Sequence, residues 1–159
     1  MLDPLRVAPP SLREDLASSY LAELLPMPRP EWETQIRKAV RRACATGDPN
    51  SAAVLALLAA SDNAAARAAG EALEVWAETG LGQLAFGTPD DSCATATRPV
   101  TTIRASGLTL PSPSASRADY SQAERLSVAT LKLVAAYALR LVSGDRTRAK
   151  VLLFDEAWF

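Results

Sequence analysis

The most constraining feature of this 159-residue chain is a succession of apolar residues at three- and four-residue spacing across residues 11–86, interrupted by prolines and glycines. That spacing is the period of amphipathic helices, and prolines and glycines mark where helices begin or end. Many of these residues are alanines, which let helices approach one another closely. We therefore predict an all-helical bundle of four or five helices over residues 11–86.

The first two helices of this bundle have recognisable ends. Ser11 and Glu14 form a capping-box pattern, which predicts the start of the first helix, and Pro26 ends that helix. The second helix is expected to begin near Pro30. Gly47 is its predicted end, because glycine accepts the left-handed conformation found at helix C-termini.

The next two helices are predicted from composition and capping residues. Residues 51–60 are almost all apolar, so we expect a short helix that is buried. Ser61 or Asp62 is the expected cap of a following helix over residues 63–78. Gly82 lies just beyond it and is expected to interrupt helical structure.

Three other segments lack a helical period. Residues 1–10 are predicted as a short extended segment that ends at two prolines. Residues 88–98 combine proline, aspartate, serine and threonine and are predicted to be a linker. Residues 100–104 are rich in β-branched side chains and predict a strand.

The last part of the chain follows a strand–helix–strand order. A second capping box, Ser121 with Glu124, opens the longest predicted helix. Residues 150–154 contain a continuous apolar run, residues 151–154, and this pattern is typical of a strand buried on both faces. Together with the preceding strand, this pattern predicts a right-handed βαβ unit of a parallel sheet over residues 99–159.

Composition excludes several functions. The chain has no histidine, so it cannot form a Ser-His-Asp or Cys-His catalytic centre or a histidine-ligated zinc site. A net charge of -1 provides no overall positive field for nucleic acid. The two cysteines, Cys44 and Cys93, are expected to be reduced, unreactive thiols. No signal peptide or transmembrane segment is predicted, because the longest apolar stretch is much shorter than the roughly 20 residues that cross a bilayer.

Two acids, Asp155 and Glu156, directly follow the apolar run at 151–154. An apolar strand that ends in two acids is the Walker B arrangement of nucleotide hydrolases. The strand holds the carboxylates at the sheet edge where ligands bind. One acid can hold Mg²⁺ through water, and the next can orient the attacking water. The pattern alone is weakly specific, since an apolar strand followed by an acidic turn is common.

Residues 155–158, Asp-Glu-Ala-Trp, resemble the corresponding motif of conjugative-transfer and type IV secretion ATPases. These VirB/TraC-like proteins belong to the HerA–FtsK branch of the P-loop hydrolases. Residues 3–5 are similar to their strand-end motif, and residues 11–86 are similar to their helical insertion. The resemblance covers the whole chain and implies an α/β fold overall, of which this chain holds a mainly α part.

The resemblance also implies roles for individual residues. Asp155 would bind Mg²⁺ through water, and Glu156 would be the catalytic carboxylate. Mg²⁺ and ATP are implied for the intact motor, with neither expected to bind this chain alone. The motor would drive protein or DNA transfer from the cytoplasm, at the inner face of the bacterial inner membrane.

The chain departs from the family pattern in one respect. It contains no G-x-x-x-x-G-K-S/T phosphate-binding loop, and none of its three lysines follows a glycine. The resemblance places that loop upstream, so the chain resembles a fragment that is inactive on its own. A buried strand whose neighbouring strands are missing would expose its edge, so self-association is expected.

A basic helix face offers a second hypothesis. Arg37, Lys38, Arg41 and Arg42 lie on one side of the second predicted helix. They are either a solvated surface or an interaction face for DNA, an acidic partner, the rest of the motor or a secretion-channel protein. The alternative function is therefore a non-catalytic helical module that binds other proteins.

Overall fold

The computed structural model describes residues 2–27, 29–78, 82–86, 100, 102–105, 107–143, 147 and 149–153. Helices dominate the described residues. The α-helices are α1 (Pro4–Val7), α2 (Arg13–Glu23), α3 (Pro30–Cys44), α4 (Ser51–Ala59), α5 (Ala64–Ala77), α6 (Gln83–Phe86) and α7 (Gln122–Ser143). Among the described residues, 3₁₀ turns span Pro10–Leu12 and Arg117–Asp119.

Helices α2 to α5 pack in chain order, each against the next, and α3 also packs against α5. The short helix α1 packs against α2, while α7 lies across both α1 and α2. The buried apolar side chains of all these helices form one continuous cluster. The helices predicted within residues 11–86 are thus present, and they share their core with α1 and α7.

The apolar spacing of α3 explains its packing. Ile36, Val40 and Ala43, which are three or four residues apart, are completely buried, and Trp32 is half-buried against the same core. The spacing of α4 is less decisive. Its composition predicted full burial, but only one face of the helix is buried. A short helix at the surface of a bundle contacts neighbours on one side only, so several of its alanines remain exposed.

The caps differ from the predicted ones at several helix ends. Asn50 caps α4 by accepting from the Ala53 amide at 2.8 Å. Asn63, rather than Ser61 or Asp62, caps α5. A 3₁₀ turn precedes α2, so the capping box predicted at its start does not form there. The α3 helix ends at Cys44, three residues before the predicted glycine.

The capping box predicted for α7 is confirmed. The Ser121 amide and hydroxyl both donate to the Glu124 carboxylate at 2.7 Å. The Glu124 amide donates back to the Ser121 hydroxyl at 3.3 Å. These hydrogen bonds lower the pKa of Glu124. Negative charge at this helix end is also favoured by the helix dipole.

The predicted βαβ unit is wrong for the described residues. The described part of 100–104 contains no strand, and Val100 is 78% exposed. Residues 150–153 also form no strand, and Val151 and Leu153 are more than four-fifths exposed. The last residue of that predicted strand, Phe154, lies outside the described residues. The helix between the two segments is correctly predicted.

The physical reason is the absence of pairing partners among the described residues. β-Branched and apolar composition favours a strand, but a strand requires a neighbour to receive its backbone hydrogen bonds. No element of the described chain runs beside either segment as a strand. Self-association of the chain, which was expected from the edge of that strand, stays a prediction.

The prediction of an extended segment over residues 1–10 is also wrong at residues 4–7, which form α1. Proline at the first position of a helix costs no hydrogen bond, and Asp3 caps the helix from the preceding position. Leu5 and Val7 are completely buried. Burial in the bundle therefore stabilises a single turn of helix that would not form in isolation.

Helix α7 is long and apolar enough to cross a membrane, judged by length and composition alone. One such helix is weak evidence, because the core helix of a soluble protein passes the same test. Leu133 and Ala129 of α7 are completely buried in the bundle. The absence of a transmembrane segment stays a prediction.

Candidate functional site

The two acids predicted to carry catalysis, Asp155 and Glu156, lie outside the described residues. The segment that leads to them is held against the end of α7. Lys150 Nζ donates to the carbonyl oxygens of Leu141 and Val142 at 3.0 and 3.1 Å. A lysine at this position supplies hydrogen bonds that the last helical turn lacks, and its charge complements the helix dipole.

A buried carboxylate, Asp3, links the start of the chain to Ser51, which lies 48 residues further along the sequence. It is 1% exposed and accepts from the Leu5 amide at 2.9 Å. Its other contacts are with Ser51, whose amide donates at 2.7 Å and whose hydroxyl donates at 3.0 Å. Burial raises the pKa of Asp3, and these hydrogen bonds oppose that rise. Asp3 thus caps α1 and contacts the first residue of α4.

Three buried hydroxyl groups of the described residues are not hydrogen-bonded. Ser18 Oγ, Tyr20 Oη and Thr130 Oγ1 are buried with no hydrogen-bond partner in the described part of the chain. Burial raises the pKa of Tyr20 to about 12, and the Asp3 charge contributes to the rise. The nearby Thr130 hydroxyl partly offsets this rise in the pKa of Tyr20. The Tyr20 and Thr130 hydroxyls nevertheless do not meet the geometry of a normal hydrogen bond.

A second buried carboxylate, Glu23, lies at the end of α2. The Arg117 guanidinium donates to it, and Lys132 Nζ lies 3.8 Å from the same oxygen. Burial and the nearby Arg117 charge lower the pKa of Lys132. A carboxylate at a helix C-terminus faces an unfavourable dipole, which these two cations offset. This cluster connects the 3₁₀ turn at Arg117–Asp119 to α2 and α7.

The predicted basic face lies along α3. Arg37, Lys38, Arg41 and Arg42 are all exposed, as both interpretations of that face require. Arg41 Nε lies 3.5 Å from a carboxylate oxygen of Glu14 on α2. Within the described residues, the other three cations form no ion pair.

A cleft with a volume of about 250 Å³ lies beside this basic face, between α3, α4 and α5. Its apolar lining consists of Ala39, Leu57, Leu58 and Ala66. Its polar lining consists of Gln35, Lys38, Arg42, Ser61 and Asn63. Lys38 and Arg42 are one helical turn apart. The cleft therefore has a mixed polar and apolar lining, with positive charge on its α3 side.

The described residues contain no cluster of acids and cysteines that could hold a metal ion. Burial raises the pKa of the Cys44 thiol, and the nearby Glu14 charge contributes. A raised pKa decreases the fraction of reactive thiolate, in agreement with the predicted unreactive thiol. Cys93 lies outside the described residues.

Comparison with known protein families gives a match over residues 1–159 to the family described as an AAA-like domain. The chain belongs to this AAA-like family. No curated protein matches the chain. No solved structure matches it either.

Membership in the AAA-like family gives the chain an ATPase-related role and supports its classification among the P-loop hydrolases. This agrees with the resemblance drawn from residues 155–158. The match covers the helical residues as well as the acidic end, so the helices are part of the family's domain.

Asp3 and Glu23 are the residues whose roles sequence reasoning missed. Asp3 was assigned only to a strand-end motif, whereas it caps a helix and bonds across the fold to Ser51. Asp followed by proline is a helix-start signal that could have indicated this cap. No local signal links Glu23 to Arg117, because these residues are far apart in the chain.

Proposed function

We propose that this chain supplies the Walker B carboxylates of a Mg-ATP site in a motor that drives protein or DNA transfer through a bacterial secretion or conjugation channel. Asp155 would hold Mg²⁺ through its water shell, and Glu156 would orient and deprotonate the attacking water. The observation that supports this proposal is the Asp-Glu-Ala-Trp motif at the end of a chain that matches the AAA-like family throughout.

The proposal places the phosphate-binding loop on residues that this sequence does not contain. Phosphoryl transfer depends mainly on positioning and on neutralising charge at the phosphates. Two carboxylates and Mg²⁺ do not provide the amides and the lysine that cradle those phosphates. The chain alone is therefore expected to be inactive. In the motor it would act in the cytoplasm, at the inner face of the bacterial inner membrane.

The test separates the two carboxylates in the motor that carries both this chain and a phosphate-binding loop. Glu156→Gln should decrease ATP hydrolysis by at least about 100-fold while ATP still binds, because general-base catalysis contributes about that factor. Asp155→Asn should weaken Mg²⁺-dependent nucleotide binding. Asp62→Asn, an exposed acid on the helical bundle, is the control and should leave both properties unchanged. Wild-type hydrolysis in Glu156→Gln would contradict the proposal.

A second function is favoured by the cleft beside α3. Four exposed cations, three of which form no ion pair with a described residue, lie next to this cleft and fit a non-catalytic helical module that binds another protein. Reversing the charge of Arg41 and Arg42 tests this function. Unchanged partner binding would show that the basic face is only solvated.

A further inference from the structure

One side chain, Lys150, attaches the segment that precedes the two acids to the helical bundle. Lys150 Nζ lies 3.0 Å from the Leu141 carbonyl oxygen and 3.1 Å from that of Val142, both near the end of α7. An ammonium group has three donors, so one lysine can bond both carbonyl oxygens at once. These oxygens are among the groups that the end of a helix leaves without partners.

Few other contacts hold this segment. Residues 149–153 make no further hydrogen bond and no ion pair within the part of the chain that the structure describes. Val151 and Leu153 are 83% and 85% exposed, so apolar packing contributes little. The position of the segment relative to α7 therefore depends mainly on the Lys150 ammonium.

This attachment shortens the chain that carries the acids. Asp155 lies five residues beyond Lys150 but twelve beyond Ser143, the last residue of α7. An extended chain spans at most about 3.6 Å per residue, so Asp155 lies within about 18 Å of Lys150, instead of within about 43 Å of Ser143. The volume open to the acids grows with the cube of that reach. The attachment therefore raises their effective concentration at one place by roughly tenfold.

We propose that Lys150 is a positioning residue for the Walker B carboxylates. By holding its own backbone against the last turn of α7, it keeps Asp155 and Glu156 within reach of the nucleotide. This inference rests on the proposed function, in which the two acids act on Mg-ATP. Lys150 is not a catalytic residue, because it acts only through the chain that leads to the acids.

Three variants separate the hydrogen bonds of Lys150 from its charge. Lys150→Met removes both and keeps a long unbranched side chain. Lys150→Arg keeps both, because a guanidinium group can donate to two carbonyl oxygens. Arg140→Met is the matched control, since Arg140 is an exposed cation in the same last turn of α7 and its loss removes the same charge.

The first measurement uses the 159-residue chain and requires no activity. Leu139→Cys/Leu153→Cys places spin labels at two exposed positions, one on α7 and one on the segment, with both natural cysteines replaced by serine. Electron paramagnetic resonance then gives the distribution of distances between the labels. Lys150→Met should broaden this distribution toward longer distances, while Lys150→Arg and Arg140→Met should leave it narrow. The same distribution in the parent chain and in Lys150→Met would overturn the proposal.

The second measurement is steady-state ATP hydrolysis by the motor that carries both this chain and a phosphate-binding loop. Lys150→Met should decrease kcat by roughly tenfold, the factor by which the effective concentration of the acids falls. The KM for ATP should be nearly unchanged, because the phosphate-binding loop cradles the nucleotide. Lys150→Arg and Arg140→Met should retain the wild-type kcat, and circular dichroism checks that each variant is folded.

The failure of this inference can be distinguished from the failure of the proposed function. Wild-type hydrolysis by Glu156→Gln would overturn the proposed function and this inference with it. Full hydrolysis by Lys150→Met, in a motor that Glu156→Gln inactivates, would overturn this inference alone. An equal loss of kcat in Arg140→Met would also overturn it, because the charge at the helix end, rather than the hydrogen bonds of Lys150, would then be responsible.

Discussion

At the scale of single residues, Asp3 shows how one buried carboxylate can organise a chain end. Its two oxygens accept from the amides of Leu5 and Ser51 and from the Ser51 hydroxyl. These bonds satisfy amide groups at the starts of α1 and α4, which otherwise lack partners. The Arg6 guanidinium, bonded to both Asp48 oxygens at 2.8 Å, adds an outer contact between the same segments.

Removal of the Asp3 carboxylate should destabilise the fold. Asp3→Ala leaves buried amides without acceptors, and we expect a loss of about 1–3 kcal/mol in the free energy of unfolding. Urea unfolding followed by circular dichroism measures this loss. Asp62→Ala, which removes an exposed acid, is the control and should change stability by less than about 0.5 kcal/mol. Equal stability of the two variants would show that the Asp3 contacts contribute little.

Removal of the Tyr20 hydroxyl, unlike removal of the Asp3 carboxylate, should not destabilise the fold. The buried Tyr20 hydroxyl has no hydrogen-bond partner in the described part of the chain, so Tyr20→Phe should leave stability at neutral pH unchanged or raise it by up to about 1 kcal/mol. Folding raises the pKa of Tyr20 from 10.0 to about 12, so the folded state resists ionisation. Wild-type stability should therefore fall as pH rises from 10 to 12, by about 2–3 kcal/mol for a shift of this size.

Tyr20→Phe should lack that part of the alkaline loss. Thermal unfolding of both proteins at neutral pH and near pH 11 measures the difference. The same alkaline loss in both proteins would contradict the assignment of this titration to Tyr20.

At the scale of helices and turns, the backbone of Gly82, just before α6, lies close to the backbone of Trp76 in α5. This approach is possible because glycine has no side chain. A Cβ atom on Gly82 would lie 1.9 Å from the Trp76 carbonyl oxygen. Backbone atoms would have to move to admit it. Gly47, in contrast, has no atom within 4 Å of such a Cβ. The sequence alone marks both glycines as breaks in helical structure and does not distinguish their surroundings.

These two glycines give a matched pair of variants. Gly82→Ala should destabilise the protein by about 1–3 kcal/mol, as overpacking does elsewhere. Gly47→Ala should change stability by less than about 1 kcal/mol. The midpoint of urea unfolding measures both. Similar midpoints for the two variants would mean that α6 shifts freely away from Trp76.

The helices of this bundle could be predicted from local signals, but the absence of strands from the described residues could not. Apolar spacing and the Ser121–Glu124 capping box predicted α3 and α7, because both signals act within a few turns of chain. The runs at 100–104 and 150–154 predicted strands, because β-branched and apolar residues are common there. A strand also needs a distant pairing partner, which composition does not reveal.

The candidate site was predictable to a similar extent. Exposure of the basic face follows from the helical period, which places its cations opposite Ile36 and Val40. The cleft beside it depends on how α4 and α5 pack against α3. That packing brings together residues that are distant in the sequence, as does the hydrogen bond between Asp3 and Ser51. No local sequence pattern predicts either contact.

At the scale of the whole molecule, the chain combines a helical bundle with an acidic motif near its end, and the AAA-like family match covers both. We propose that the motif binds Mg²⁺ and activates water, and that the basic face of α3 binds another protein. These two roles are separable, because variants on α3 leave Asp155 and Glu156 intact.

The most direct measurement is a calorimetric titration of Mg-ATP into the 159-residue chain, beside its Glu156→Gln variant. We expect no heat of binding in either protein, since the sequence contains no glycine–lysine loop to cradle the phosphates. Circular dichroism confirms beforehand that both proteins are helical. Saturable, Mg²⁺-dependent binding that Asp155→Asn removes would contradict this expectation, because a complete nucleotide site would then lie within this chain.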